Sequence, residues 1–159
     1  MKVEVLFDKI EDELTNIIFP FSNRNITTNA KIIKPQGFVL GLTKNRYKGT
    51  LHVSKFTSKY PELFALIVKL MKKVAPNYTF TSVQLNKNIL CKPHKDVFNK
   101  GDSIIFGVGS YLNGGELVIE NEPYDIKRKI LMFDGSKKLH WVNDWEYGDR
   151  YTVTCYNIV

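Results

Sequence analysis

The second half of the chain carries a series of short strand-like segments, separated by turns and never by a helical pattern, and this series limits the possible folds most. The turns contain glycine, as in Asn113-Gly114-Gly115 and Asp134-Gly135. The segments themselves are TFTSVQL, SIIFGVG, GELVIE, KILMFDG and RYTVTCYNIV. Short apolar or alternating runs with such turns between them predict an all-β sandwich or barrel, whereas a Rossmann fold needs helices between its strands.

The first half of the chain adds helices to this β-rich half. Between Ile10 and Phe19, apolar residues recur at helical spacing. The segment from Pro61 to Val74 begins with proline and an acid and ends with lysines, which suits a helix and its dipole, and Pro76 stops it. Two short strands, GFVLGL and TLHVSKF, lie between these helices. The predicted class is α+β, with helices packed on a β-barrel core.

Length and composition indicate one compact domain. The chain has 159 residues, of which 43% are hydrophobic, so it can bury a sizeable core. We expect residues 1–75 to supply helical and strand support and residues 76–159 to form the β core. Frequent acids near the N-terminus exclude a signal-peptide core and a membrane span, and two cysteines make no disulfide framework. The expectation is a soluble intracellular protein, cytoplasmic or nuclear.

The chain is basic, with a formal net charge of +7 and a pI near 9.3. Such an excess favours anionic partners such as nucleic acid, because basic side chains release condensed counterions when they bind it. A solvated surface that keeps the protein soluble explains the same charge equally well. The basic residues are partly clustered: Lys44, Arg46 and Lys48; Lys69, Lys72 and Lys73; Lys127, Arg128 and Lys129; Lys137 and Lys138.

A histidine and an aspartate two residues apart, His94 and Asp96, are candidate metal ligands. On an extended segment, side chains at i and i+2 point to the same face, so both can reach one ion. His140, at the far end of a later strand, can complete a set of two histidines and one carboxylate. That set is the facial triad of non-haem iron(II) sites, which leaves positions open for substrate and oxygen. Zinc can use the same ligands, so the ligands alone do not decide the metal.

Arg150 lies ten residues after the third candidate ligand and shares one face of the final predicted strand with Thr152. A guanidinium beside a hydroxyl suits a carboxylate. Beside an open iron site, Arg150 therefore predicts 2-oxoglutarate as co-substrate. Each residue also has a structural interpretation: a surface loop pair at positions 94 and 96, a half-buried strand histidine at 140, and an ion pair of Arg150 with Glu146. His52 is interpreted as structural.

The run from Thr81 to Tyr156 resembles the 2-oxoglutarate- and iron(II)-dependent dioxygenases, and within them the TET/J-binding-protein branch, which oxidises methyl groups on pyrimidine bases. The order His-x-Asp, a later His and then Arg is shared by the whole superfamily. Three features are more typical of the branch. They are Asn99, three residues after the aspartate; the turn Tyr-x-Asn-Gly-Gly-Glu-Leu at Tyr111 to Leu117; and Phe-Asp-Gly at Phe133 to Gly135.

The resemblance implies a fold, cofactors and a role for each matching residue. The fold is a double-stranded β-helix, a jelly-roll or cupin-like barrel, with N-terminal helices in support. The cofactors are iron(II), 2-oxoglutarate and dioxygen, with ascorbate as a supporting reductant. The residues that would bind iron are His94, Asp96 and His140. Those that would bind 2-oxoglutarate are Arg150, Thr152 and Asn86. Those that would contact the substrate are Asn99 and Tyr111.

The implied activity is oxidation of the methyl group of a modified pyrimidine base, 5-methylcytosine or thymine, in DNA. A base that leaves the stack needs an aromatic neighbour. The candidates for this role are Phe98, Tyr111, Trp141 and Trp145. Unlike the animal TET proteins, the chain has no cysteine-rich extension and no long insert between Asp96 and His140. A prolyl or lysyl protein hydroxylase of the same fold, or a non-catalytic jelly-roll binding module, is therefore an alternative.

Overall fold

The computed structural model describes residues 1–22, 35–45 and 47–159. These residues form three helices and eleven strands. The helices are α1 (Val3–Thr15), α2 (Lys55–Lys59) and α3 (Pro61–Val74). The strands are β1 (Gln36–Lys44), β2 (Leu51–Val53), β3 (Ser82–Lys87), β4 (Ser103–Gly109), β5 (Leu112–Gly114), β6 (Leu117–Ile119), β7 (Glu122–Tyr124), β8 (Leu131–Phe133), β9 (His140–Val142), β10 (Trp145–Tyr147) and β11 (Arg150–Tyr156).

The strands pair into three antiparallel sheets. The major sheet has the order β2-β1-β3-β11-β4-β8, a smaller sheet has the order β7-β6-β9, and β5 pairs with β10. Although β11 follows all the other described strands in sequence, it lies between β3 and β4. The predicted mixture of helices in the first half and antiparallel strands in the second is confirmed.

The major sheet is covered on both faces, and its strands alternate accordingly. On one face, apolar residues of the four central strands pack against α1 and α3. Those residues are Phe38 and Leu40 of β1, Val83 and Leu85 of β3, Ile104, Phe106 and Val108 of β4, and Tyr151, Val153 and Cys155 of β11. The opposite face is more polar, with Gln84, Thr152 and Thr154, and it lines a cavity whose other side is formed by β6 and β9.

Helix α3 has the bounds that the sequence predicts, from Pro61 to Val74. It ends there because Ala75 precedes Pro76, and a residue before proline disfavours the helical conformation. Its buried residues recur at helical spacing and pack towards α1 and the sheet. They are Leu63, Ile67, Leu70 and Met71. No helix within the described ranges is long and apolar enough to cross a membrane.

Helix α1 spans Val3–Thr15, whereas the sequence predicts a helix over residues 10–19. Its last turn ends early since the side chains of Thr15 and Asn16 both donate to the Asp12 carbonyl, at 3.0 and 2.8 Å, and so compete with backbone amides for it. Phe19 lies beyond the helix and is nevertheless buried, 5.2 Å from Phe38 between ring centroids. Its apolar character therefore reflects packing on the sheet and not a helical stripe.

The predicted strand TLHVSKF is wrong in its second half. Strand β2 covers only Leu51–Val53, and α2 begins at once because the Ser54 side chain accepts a hydrogen bond from the Phe56 amide at 3.2 Å. The five predicted strands of the second half are present as β3, β4, β6, β8 and β11. Strands β5, β7, β9 and β10 are not predicted, because they lack the continuous apolar run that marks β6 and β8, which are equally short.

Candidate metal centre and its cavity

His94 lies opposite His140, the first residue of β9, in an isolated antiparallel bridge. The His94 amide donates to the His140 carbonyl at 3.0 Å, and the His140 amide donates to the His94 carbonyl at 3.1 Å. Residues opposite each other in an antiparallel pair project their side chains to the same side of the ladder. The two imidazole rings accordingly lie together, with their centroids 4.3 Å apart.

Asp96 joins the two histidines in one cluster. Its amide donates to the Gly135 carbonyl at 2.8 Å, which ties the segment after His94 to the segment before His140. The carboxylate oxygens lie 3.6 Å from His94 Nε2 and 3.3 Å from His140 Nε2. The three ligand atoms are all within 4.8 Å of one another. Ligands bound at about 2.0–2.2 Å to one ion lie at comparable separations, so a single metal ion fits between them.

In both histidines a backbone carbonyl accepts a hydrogen bond from Nδ1, which gives the two imidazoles the same tautomer. His94 Nδ1 lies 2.7 Å from the Lys92 carbonyl oxygen, and His140 Nδ1 lies 2.8 Å from the Lys138 carbonyl oxygen. A carbonyl only accepts, so each Nδ1 carries a proton, and in the neutral imidazole each Nε2 then has its lone pair directed towards Asp96. This is the arrangement of metal-binding histidines, whose other ring nitrogen donates to a carbonyl or carboxylate.

Gly135 leaves room beside the cluster. A Cβ at this position would lie 3.2 Å from Asp96 Oδ2 and 3.4 Å from His140 Cε1, closer than side chains normally approach. A larger residue would therefore push on two of the three candidate ligands. This gives the Phe-Asp-Gly sequence a physical reason, because the ligand side chains take the space that a side chain at residue 135 would need.

One cavity of about 190 Å³ extends from this cluster to Arg150. At about 30 Å³ for each water, its volume corresponds to about six water molecules, which suits a small organic acid. The other predicted site residues that line it are Asn86, Asn99, Arg150 and Thr152. Thr152 lies directly opposite Asn86 in the β11–β3 pair, so both face the cavity at the same level. Of the predicted site residues, Tyr111 does not line it.

Arg150 is only 3% exposed and its guanidinium is incompletely bonded. Its Nε donates to the Gly115 carbonyl at 3.0 Å, whereas the buried Nη2 has no hydrogen-bond partner among the described residues. Burial lowers the pKa of this guanidinium, and the nearby Tyr111 opposes the shift. The alternative ion pair with Glu146 is not found between these two described residues. A buried cation with an unpaired N–H group is costly until an anion binds it.

Tyr111 lies behind Arg150 and not at the cavity wall. Its ring is 5.6 Å from Arg150 Cζ, the ring of Trp145 is 5.8 Å from the same atom, and the two rings are 6.5 Å apart. Lys127 Nζ lies 4.9 Å from the Tyr111 ring and donates to its carbonyl at 2.8 Å. Tyr111 is 4% exposed, its hydroxyl has no hydrogen-bond partner among the described residues, and burial raises its pKa. The prediction that Tyr111 contacts the substrate therefore lacks support in its position, and its contacts are those of a support for Arg150.

The fold is similar to that of several solved structures, whereas no protein-family model and no curated protein matches the chain. NgTET1 in complex with 5mC DNA aligns over 98% of this chain and 67% of its own, with a TM-score of 0.66 and 19% identity. An oxidoreductase of the 2OG-Fe(II) oxygenase family from Burkholderia pseudomallei aligns over 96% and 77%, with a TM-score of 0.60 and 12% identity. OsALKBH1 aligns over 98% and 92%, with a TM-score of 0.55 and 14% identity. The chain has the fold of the 2-oxoglutarate- and iron(II)-dependent oxygenases.

The oxygenase fold confirms the predicted double-stranded β-helix with supporting N-terminal helices. The sequence resemblance covers only the second half of the chain. The structural likeness extends over nearly all of it, so the helices and strands of the first half belong to the same architecture. At these identities the likeness concerns the fold, and the chemistry of the site is argued from its own residues.

Part of the cavity lining of this oxygenase fold escaped the sequence analysis. The missed polar residues are Gln84, Ser103, Thr154 and Tyr156. Three of them could have been predicted from strand alternation. Thr154 and Tyr156 lie two and four residues after Thr152 on the final strand, and Gln84 lies two residues before Asn86 on its own strand, so each shares a face with a predicted site residue. Ser103 had no such signal, since it opens a nearly continuous apolar run.

The aromatic candidates separate into distinct places. Trp141 lines the cavity, whereas Phe98 is 85% exposed although its neighbour Asn99 lines the cavity. Trp145 contacts Arg150 together with Tyr111. His52 is exposed on the edge strand β2 and does not line the cavity. Of the basic clusters, Arg46 lies outside the described residues.

Proposed function

We propose that the chain is a 2-oxoglutarate- and iron(II)-dependent dioxygenase that oxidises the methyl group of a modified pyrimidine base, 5-methylcytosine or thymine, in DNA. One observation carries the proposal: a single small cavity joins a His-Asp-His cluster to a buried arginine with an unpaired Nη2. The cluster alone would suit several metal chemistries. Arg150 reduces the number of metal chemistries that fit, because it favours a co-substrate that ends in a carboxylate.

The ligand chemistry supports iron(II). Two neutral imidazole nitrogens and one carboxylate form the facial triad, which binds iron on one side and leaves the cavity side open. His94 and His140 would supply their Nε2 atoms, and Asp96 would supply a carboxylate oxygen between them. Zinc accepts the same ligands, so the choice of iron depends on the arginine at the other end of the cavity.

The distal carboxylate of 2-oxoglutarate would be bound by Arg150. Its Nη2 is buried and has no hydrogen-bond partner among the described residues, so it can donate to a carboxylate. Thr152 and Asn86 lie opposite each other and line the same cavity, so both can contact the middle of the co-substrate. The Arg150–Gly115 hydrogen bond fixes the guanidinium before the ligand arrives, which lowers the entropy cost of binding.

The mechanism divides between the cofactors and the chain. When bound, iron(II), 2-oxoglutarate and dioxygen supply the oxidation of a C–H bond. The residues of the chain hold the reactants: the carbonyls of Lys92 and Lys138 accept from the imidazole Nδ1 atoms and so direct both Nε2 atoms towards Asp96. Apolar side chains in the cavity wall exclude water from the reacting atoms. They are Ile105, Leu117, Phe133 and Val142.

Three observations favour a base in DNA as the substrate. Asn99 lines the cavity, and its amide donates to the Asp96 carbonyl at 3.0 Å, so its side chain starts one turn from a metal ligand and can pair with a base edge. The chain carries a net charge of +7, which favours a polyanion. NgTET1, whose fold is similar, is described in complex with 5mC DNA.

Mass spectrometry of methylated oligonucleotides tests the proposal. After incubation with iron(II), ascorbate and 2-oxoglutarate, we expect one added oxygen on the methylated base and an equal amount of succinate. His94→Ala and Asp96→Ala should reduce both products by more than a hundredfold, because they remove a metal ligand. His52→Ala is the matched control, since His52 is an exposed histidine outside the cavity, and it should behave as the unchanged protein.

Two other outcomes would assign a different function. Oxygen added to prolyl or lysyl peptides, with none added to any oligonucleotide, would identify a protein hydroxylase of the same fold. No iron-dependent succinate with any substrate, or without one, would identify a non-catalytic binding module. Full activity of His94→Ala would overturn the role of the cluster itself.

A further inference from the structure

Five lysines flank the metal cluster in sequence and form what we call the basic rim. They are Lys92, Lys95, Lys100, Lys137 and Lys138, and all five are exposed. The carbonyls of Lys92 and Lys138 accept the imidazole hydrogen bonds, so the backbone of the rim lies directly against the cluster.

Few acids offset the charge of this rim. Within residues 91–101 and 134–141 the acids are Asp96, a candidate ligand, and Asp134, which accepts hydrogen bonds from the amide and hydroxyl of Ser136. Lys137 Nζ lies 4.0 Å from an Asp134 carboxylate oxygen, which is the limit for an ion pair. The Lys137 side chain is 82% exposed and that of Asp134 is 19% exposed, so water screens the pair. These two segments carry five lysines and two acids, and Glu120, whose amide donates to the Leu139 carbonyl, offsets part of this charge. The segments together with Glu120 remain net positive and favour an anionic partner.

Phe98 is an exposed aromatic residue within this rim. It is 85% exposed, and Val97 beside it is 63% exposed, although Asp96 and Asn99 on either side of them line the cavity. A phenylalanine in water offers a flat apolar face, and a nucleic-acid base is a flat partner that can cover it in any sequence context. A basic surface with an exposed aromatic ring is the usual combination for binding a nucleic-acid strand.

We infer that Phe98 stacks on the nucleotide next to the target base while the basic rim contacts the flanking phosphates. The inference rests on the proposed function, since it takes the target base to be bound in the cavity near Asn99. Adjacent residues have Cα atoms about 3.8 Å apart, and successive bases are about 3.4 Å apart along a strand. Phe98 is exposed at the sequence position next to Asn99, so a strand that inserts its target base beside Asn99 can bring the neighbouring nucleotide onto the Phe98 ring.

Fluorescence of 2-aminopurine placed next to a methylated cytosine measures this stacking directly. We expect the protein to change the fluorescence, Phe98→Ala to abolish that change and weaken oligonucleotide binding about 5- to 150-fold, and Phe98→Trp to restore both. Tyr147→Ala is the matched control, because Tyr147 is a 60% exposed aromatic residue on β10, three residues from Arg150 at the other end of the cavity. It should bind as the unchanged protein.

The salt dependence of oligonucleotide binding measures how many phosphates the basic rim contacts. Lys95→Ala combined with Lys100→Ala should lower the slope of log affinity against log salt by about 0.7 to 0.9 for each phosphate that the variant no longer neutralises. Lys72→Ala combined with Lys73→Ala removes the same charge from exposed positions on α3, on the other side of the major sheet, and should leave the slope nearly unchanged.

The two proposals fail in different ways. If the methyl group is oxidised and Phe98→Ala binds and responds like Tyr147→Ala, the stacking role is overturned and the proposed function stands. If the rim pair and the α3 pair change the slope equally, the rim is overturned as the docking surface. If 2-aminopurine responds through Phe98 but no base is oxidised, the docking surface stands and the proposed function fails.

Discussion

Each imidazole of the metal cluster is fixed by a backbone carbonyl and not by a side chain. The carbonyls belong to Lys92 and Lys138, whose side chains are exposed. A backbone acceptor is present whatever residue stands at these positions, so the tautomer of both histidines is independent of the lysine side chains. The charge of the rim can therefore be changed by mutation while the orientation of the metal ligands is kept.

Arg150→Lys should weaken 2-oxoglutarate binding and leave metal binding unchanged. Lysine keeps the charge but loses the Nε bond to Gly115 and the planar fork. A hydrogen bond to a charged group is worth about 1.5–3 kcal/mol, so the dissociation constant should rise roughly 10- to 150-fold. Calorimetry with and without metal measures both constants. Arg128→Lys, at an exposed ion pair with Asp8, is the control; equal effects of the two changes would contradict the role of Arg150.

The Cys155 thiol should be unreactive in the folded protein. Burial raises its pKa from 9.0 to about 12, so at pH 8 its thiolate fraction falls about a thousandfold. In a Cys91→Ser variant, a thiol reagent should label Cys155 only after denaturant unfolds the chain.

The raised pKa of Cys155 also predicts that this group's contribution to folding stability is present below about pH 9 and declines as the pH rises towards 12. Rapid labelling under native conditions would contradict this burial.

At the scale of elements, Asn88 connects the end of β3 to the start of β11. Its side chain accepts from the Arg150 amide at 2.7 Å and donates to Asp149 Oδ1 at 2.8 Å, and its own amide donates to the Arg150 carbonyl at 2.7 Å. Its φ of 52° lies in the left-handed region, where asparagine is tolerated better than most residues. Asn88 therefore fixes the position at which β11 begins, with Arg150 as its first residue.

Asn88→Gly and Asn88→Ala should separate the two contributions of this residue. Glycine accepts the left-handed backbone and removes only the side-chain bonds, so we expect a loss of about 1–3 kcal/mol of unfolding free energy. Alanine adds backbone strain and should cost roughly 1–2 kcal/mol more. Urea denaturation measures both. An alanine variant as stable as the glycine variant would show that the left-handed backbone costs nothing here.

The elements that sequence could predict are those whose signals are local. Helix α3 has a proline at its start, lysines in its last turn and a proline after its end, so both bounds follow from the sequence. The end of α1 depends on a side-chain competition for the Asp12 carbonyl, which no spacing reveals. Strand β9 is too short to detect, yet it carries His140, and its pairing with residue 94 is a tertiary contact.

At the scale of the whole molecule, the metal cluster and the main hydrophobic core lie on opposite faces of the major sheet. The spacing of residues 94, 96 and 140 could suggest a shared ion, and Arg150 could suggest its co-substrate. The position of Tyr111 behind the arginine could not be predicted, because it depends on how the β4–β5 turn packs against β10. Sequence patterns indicate which face a residue occupies and do not give the depth at which it lies.

Metal binding should stabilise the fold by mass action. With iron(II) or a substitute divalent ion at a hundred times its dissociation constant, the gain is about 2.7 kcal/mol, or roughly 5–10 °C in Tm for a chain of this size. A chelator should reverse the shift, His94→Ala should abolish it and His52→Ala should retain it. Thermal unfolding with and without chelator provides the measurement. A shift that persists in His94→Ala would place the ion elsewhere.

The central position of β11 has a consequence during synthesis. Strands β3 and β4 leave the ribosome dozens of residues before the segment that pairs with both of them, and at about 5–20 residues per second they wait for several seconds. In that interval their facing edges expose unpaired amide and carbonyl groups, in β4 along a nearly continuous apolar run. A nascent chain that pauses there is the species that we expect chaperones to bind and that is most prone to aggregate.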